Sequence, residues 1–201
     1  MSARLQFQGR IAGLGSSSGV RIVVGRWDRS PLGAFADVML ADASGRRFLL
    51  APSTEVAEFV ASTYHFDEVL LTTVEVRDTG AGWQVRAEEL QVSFGMGRRL
   101  PLGWLLRAVP TPLARSTWFS RITDPVARAV LAGVRTRGTA GGGRLEIYGA
   151  TDLRAITAIS GTWRGTDLGG LRDVAPEPNF GFGSTPPRPS VTTLTTTVIV
   201  P

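Results

Sequence analysis

Asp37 sits in the middle of a run, residues 34–41, in which both faces of an extended strand are apolar. Phe35, Asp37 and Met39 fall on one side, and Ala36, Val38 and Leu40 on the other. A carboxyl group set among apolar neighbours gives up hydration. Its pKa then rises unless an arginine or hydrogen bonds hold the charge. Such a group can serve as a general acid or anchor a ligand. The plainer reading is a strand-end aspartate neutralised by Arg26 or Arg47. Phe35, Met39 and Arg26 are the ligand contacts expected beside it. Glu146 and Tyr148 form a second candidate pair, on the face of their strand opposite Leu145 and Ile147. Turned inward, that face offers a carboxylate and a hydroxyl to a ligand; turned outward, both are solvated. His65 stands beside Asp67 and Glu68, and a histidine with a carboxylate can do acid–base work near neutral pH. It falls at the end of an expected helix, where polar side chains are usually solvated and the helix dipole favours protonated histidine.

The composition removes whole classes of chemistry. The chain has no cysteine and no lysine, His65 is its only histidine, and all 22 basic residues are arginines. Thiolate nucleophiles, Schiff-base lysines, Cys/His metal sites and mechanisms needing two histidines are therefore excluded. No acidic cluster has metal-ligand spacing, so neither a metal nor a cofactor is expected. No Gly-x-Ser-x-Gly elbow exists, which argues against a serine hydrolase. Gly13-Leu14-Gly15-Ser16-Ser17-Ser18-Gly19 superficially looks like a phosphate loop. A strand rather than a helix follows it, and the Gly-Lys-Ser/Thr ending is missing, so it reads as a turn.

Charge is uneven along the 201 residues. Between residues 98 and 137 there are eight arginines and one acid, Asp124, whereas the remainder carries 14 arginines and 16 acids. A concentrated basic block suits an anionic partner. Arg98, Arg99, Arg107, Arg115 and Arg121, interleaved with Trp104, Leu105, Trp118 and Phe119, suggest an anionic membrane surface. The same aromatics would equally cover one end of a barrel. No nucleic-acid-binding motif accompanies the arginines. The N-terminus has no apolar signal region and no run of about 18 apolar residues occurs, so a cytoplasmic location is the default expectation. The oligomeric state is not encoded in any feature of the chain.

The elements that must position these residues are mostly strands. Residues 20–27 are rich in β-branched side chains. Residues 34–41 and 46–51 flank Asp42-Ala43-Ser44-Gly45, a hairpin turn, and residues 69–77 and 83–87 flank a second turn at 79–82. Residues 90–94 alternate as a further strand. Pro52-Ser53-Thr54-Glu55 is a helix start, with apolar positions running to about residue 63. From 101 the pattern changes to short helices extending to about 134, including one opened by Asp124-Pro125. Residues 138–143 read as a mobile glycine-rich loop, 145–148 as a strand, and 153–159 as either helix or strand. Glycine- and proline-rich loops follow, and the Thr/Val tail, 191–200, is a strand placed to close a sheet or barrel.

Ser30-Pro31-Leu32-Gly33-Ala34-Phe35-Ala36-Asp37 resembles a motif of acetoacetate-decarboxylase-like proteins, Ser-Pro-x-Gly-x-Tyr-x-Glu at the start of a barrel strand. Phe35 stands where tyrosine is usual and Asp37 where glutamate is usual. The resemblance implies a mostly antiparallel β-barrel with a central cavity. Enzymes of that family form a Schiff base through lysine, which this chain lacks, so the resemblance implies a cavity put to another use.

The sequence thus predicts a single α+β domain over residues 1–201, built on a mostly antiparallel curved sheet or β-barrel with helices over about 53–63 and 101–134. The expected function is binding of a small molecule, carboxylate or keto-acid-like, in an apolar cavity oriented by arginine and one or two carboxylates. The rivals are a non-covalent lyase or isomerase using Asp37 or Glu146, and a surface binder acting through the arginine block.

Overall fold

In the computed structural model, which describes residues 3–108, 137–139, 145–181 and 186–200, the chain is predominantly extended. Its first limb is β1 (Ala3–Ser16), β2 (Arg21–Arg29), β3 (Phe35–Ala41), β4 (Arg47–Ala51), helix α1 (Thr54–Ala61) and β5 (Glu68–Leu71). The second limb is β6 (Glu75–Asp78), β7 (Gly82–Arg86), β8 (Leu90–Arg99) and helix α2 (Pro101–Ala108). The third is β9 (Arg137–Thr139), β10 (Leu145–Trp163), β11 (Thr166–Asp167), β12 (Leu171–Arg172) and β13 (Ser190–Val200). The main sheet runs in the order β5-β4-β3-β2-β1-β13-β10-β8-β7-β6, with β9 and β11 paired to β10 and β12 paired to β1. Pairing is antiparallel except between β4 and β5, which run parallel across the α1 crossover.

Strands β5 and β6 lie at opposite ends of that order, yet only residues 72–74 separate them. The sheet must therefore curl until its two edges approach. Ion pairs bridge the curl. Arg164 donates to Glu68 of β5 at 2.8 Å and to Glu89 at 2.6 Å, and Arg10 of β1 donates to Asp78 of β6 at 2.8 Å. Inside, one face of the sheet, drawn from all three limbs, seals a core that includes Leu14, Ile22, Val38, Leu50, Trp83 and Trp163. Each such side chain contributes roughly 1.5–3 kcal/mol through burial. The other face carries α1. Ser53 caps it by accepting from the Val56 amide, and its stripe Val56, Ala57 and Val60 packs on Leu49 and Ala51 of β4.

Several boundaries differ from the sequence expectation, each for a visible reason. Gly13 and Gly15 belong to β1, and the turn is confined to the residues just before β2, with Gly19 at φ +85°. Close backbone approach, not turn geometry, selects some of these glycines. A Cβ on Gly9 would strike the Arg26 carbonyl oxygen, and one on Gly15 the Asp173 carbonyl oxygen. The expected strand 69–77 is two strands, because it hops between sheet edges at 72–74. The segments 145–148 and 153–159 are one 19-residue strand, β10. Its register shifts at three places, which breaks the two-residue period and left the sequence pattern ambiguous. Residues 138–139 pair with Glu146 and Leu145 in β9 rather than forming a loop. The tail strand β13 joins the sheet from within, running between β1 and β10. Of the expected helices, α1 and α2 are present, while residues 109–134, with the helix opened by Asp124, lie outside the described residues.

Candidate functional site

The site begins with a hairpin. Ser30 Oγ donates to the Gly33 carbonyl at 2.6 Å and accepts from the Leu32 amide at 3.0 Å, and Gly33 takes φ +82°. This turn sets the β2–β3 register, which places Phe35 opposite Trp27, Asp37 opposite Gly25, and Met39 opposite Val23. Gly25 is there because nothing larger fits. A Cβ would run into Asp37 Oδ1 and Trp27 Nε1. Trp27 Nε1 donates to Asp37 Oδ1 at 2.9 Å. Asp37 itself is only 5% exposed, and no cation pairs with it among the described residues. Burial dominates over the tryptophan bond and pushes its pKa up to about 7.

A second row comes from β10, β13 and β1. Tyr148 pairs with Thr196 and Thr196 with Phe7, while Glu146 pairs with Val198 one step along. Tyr64, just beyond α1, reaches into this row. Its hydroxyl donates to Glu146 Oε2 at 2.9 Å, Tyr148 donates to the same oxygen at 2.8 Å, and the two hydroxyls are 2.8 Å apart. Burial holds the Tyr64 phenol well above its ordinary pKa, and the Glu146 charge adds to this. Burial and the Tyr64 and Glu146 neighbours do the same to Tyr148. Both phenols therefore remain hydrogen-bond donors at neutral pH.

Between the two rows lies a cavity of about 60 Å³, roofed by Phe59, Val60 and Tyr64 from α1 and its exit. Phe7, Trp27 and Phe35 form an aromatic wall, with Phe7 5.8 Å from Trp27 and 6.4 Å from Phe35 between ring centroids. Asp37 and Glu146 face the cavity from β3 and β10, and Thr196 from β13. The Thr196 hydroxyl is fully buried and has no hydrogen-bond partner among the described residues. Buried hydroxyls are nearly always satisfied, so an unpaired one on a residue that lines a cavity is a candidate contact for a ligand atom or water.

The structure brings together Phe35, Asp37, Met39, Glu146 and Tyr148 from the sequence candidates. It does not bring Arg26. Strand alternation sends Arg26 to the opposite face of β2, where it stands 3.6 Å from Asp28 and 3.7 Å from Asp78. Arg47 does not neutralise Asp37 either. It forks onto Asp67, with Nε at 3.0 Å and Nη2 at 2.9 Å, and holds that carboxyl down at a pKa of about 2. No arginine is among the described residues lining the cavity. His65 is exposed and away from the cavity, with its amide donating to the Phe180 carbonyl at 2.6 Å. Arg115 and Arg121 lie outside the described residues. Sequence reasoning missed Trp27, Tyr64 and Thr196. The hairpin length alone pairs Trp27 with Phe35, whereas Tyr64 and Thr196 are indistinguishable from a helix stripe and a threonine-rich strand.

No family model matches the chain, and no curated protein matches it. Among solved structures it is similar to the acetoacetate decarboxylase of Legionella pneumophila subsp. pneumophila str. Philadelphia 1. The two are 9% identical, with 98% of this chain and 85% of that chain covered and a TM-score of 0.46. The use of the cavity has to be read from this chain's own side chains. No helix among the described residues is long and apolar enough to cross a membrane.

Proposed function

We propose that the chain binds a small molecule in the cavity beneath α1, without covalent catalysis, and that Asp37 and Thr196 make the polar contacts. The observation that carries this reading is a cavity lined by the buried Asp37 and by Thr196, whose buried hydroxyl has no hydrogen-bond partner among the described residues. The aromatic wall supplies apolar contact, and the few polar groups fix orientation, as in small-molecule sites generally. A carboxylate or keto-acid-like ligand suits the donors. Protonated Asp37 and the Thr196 hydroxyl can both donate to an oxygen acceptor. The sign of the pH dependence follows. Asp37 is a donor below about pH 7 and loses that proton above it, so an acceptor ligand binds more tightly on the acid side. Native against denaturing mass spectrometry of protein purified without added ligand tests the reading. A reproducible extra mass in the native spectrum, absent from Asp37→Asn and Thr196→Val, is the expected result. An apo mass, with no affinity for any of a panel of short carboxylates and keto acids, would remove it.

One observation favours a second reading. A carboxyl with a pKa of about 7, facing a cavity, is tuned for proton transfer at neutral pH. In that reading the protein is a non-covalent acid–base enzyme of lyase or isomerase type, with Asp37 as the transferring group and the Tyr64–Glu146–Tyr148 network steadying developing charge. Turnover of a bound ligand that disappears in Asp37→Asn while binding persists would select it over simple binding.

A further inference from the structure

The two most exposed large apolar side chains among the described residues are neighbours on α2, Trp104 at 62% and Leu105 at 65%. The helix is not free to turn them inward. Gly103 faces β10 so closely that a Cβ would collide with the Leu153 carbonyl oxygen and with Arg99 Cγ. Positions one and two residues later lie about 100° and 200° around the helix, which points them away from the sheet. Trp104 is also held from beneath. Arg99 forks onto Asp152, Nε to Oδ1 at 2.6 Å and Nη2 to Oδ2 at 3.0 Å, and its guanidinium carbon sits 4.5 Å from the Trp104 ring centroid. The indole is thus clamped in an outward position by a cation that is itself clamped.

The acid beneath this pair, Asp152, is taken up by Arg99. Arg98 and Arg107 are exposed, and neither forms an ion pair among the described residues. Tryptophan and leucine exposed on a short helix, with the exposed Arg98 and Arg107 nearby in sequence, match the boundary between anionic headgroups and acyl chains. We infer that α2 docks the protein on an anionic lipid surface, with Trp104 and Leu105 at the headgroup–acyl boundary and Arg98 and Arg107 on the headgroups.

Co-sedimentation of the full chain with phosphatidylserine–phosphatidylcholine vesicles, and with phosphatidylcholine vesicles alone, tests this. The expected result is binding to the anionic vesicles only, reversed by high salt. The double variant Arg98→Glu/Arg107→Glu should lose about tenfold or more in affinity. Trp104→Ser/Leu105→Ser should lose binding as well, while both variants keep the thermal unfolding of the parent, since the altered residues are exposed. Absence of binding to anionic vesicles at low salt overturns the inference. So does binding that both variants leave unchanged. Concentration-dependent dimerisation abolished by Leu105→Ser, without vesicle binding, would overturn it in favour of a second copy.

Discussion

Asp37 and Asp67 are the same side chain in two settings, and their protons are held very differently. Asp67 lies at the surface, receives three bonds from Arg47, and has its pKa held at about 2. Asp37 lies under α1, receives one side-chain bond from the Trp27 indole, and has its pKa pushed up to about 7. The difference shows what each region is built to do. The surface pair exchanges water for a fork of matched charge, so its carboxylate is content to stay ionised. The cavity exchanges water for aromatic rings and one neutral donor, so its carboxyl keeps a proton into the physiological range. The same contrast separates the two faces of β2. Arg26 on one face meets Asp28 of its own strand and Asp78 across the curl, whereas the other face turns toward Asp37, which has no cation among the described residues.

The largest effect expected from breaking this comparison is at Asp37. Its folded pKa is raised above the unfolded value of 3.8, so folding favours the protonated form. Stability is fully present below that unfolded value and falls as pH rises from there toward the folded pKa. The loss across that window is about 4 kcal/mol, from roughly 1.4 kcal/mol per pKa unit. Asp37→Asn should abolish this slope, and chemical denaturation of both proteins at acid and at mildly alkaline pH measures it. The next effect is at Gly25. Gly25→Ala drives a methyl into Asp37 Oδ1 and Trp27 Nε1. Overpacking of this kind costs about 1–3 kcal/mol, and it should also disturb any ligand bound at Asp37.

A smaller effect sharpens the distinction between a site and a core. Thr196→Val removes a buried hydroxyl that has no partner among the described residues, so the ligand-free protein should be unchanged or stabilised by at most about 1 kcal/mol. The ligand affinity should nonetheless fall. A core threonine would show the opposite order, a stability loss without a binding phenotype. The smallest effect is expected at the surface. Asp67→Asn removes a carboxylate whose stabilisation is present above its unfolded pKa of 3.8 and lost as pH falls toward 2. At neutral pH the pair is exposed and screened, so thermal unfolding should barely move, and any difference should shrink further with salt.

Much of the strand content and part of the site were legible in the sequence because they rest on local rules. Period-two alternation placed Phe35, Asp37 and Met39 on one face, and the cap at Ser53 placed α1. Strand β1 was hidden because its glycines, which let neighbouring backbones touch, read locally as a turn. β10 was hidden because its register shifts destroy the alternation. The pairing of Asp37 with Glu146 across a cavity depends on β13 running between β1 and β10, a long-range fact with no local signature. Arg26 was misplaced for a simpler reason. Its charge suggested a partner for Asp37, but parity along β2 gives the cavity to Gly25 and Trp27 and sends Arg26 across the sheet.

The account stands most directly on the proton of Asp37. A carbon-detected NMR titration of the aspartate carboxyls, with Asp37→Asn to assign the signal, reads that proton alone. One carboxyl titrating near pH 7, missing from the Asp37→Asn spectrum and shifted on ligand binding, is the predicted result. Every aspartate titrating in the ordinary carboxylate range would contradict a buried, proton-holding Asp37 and leave the predicted acid-side binding without its donor.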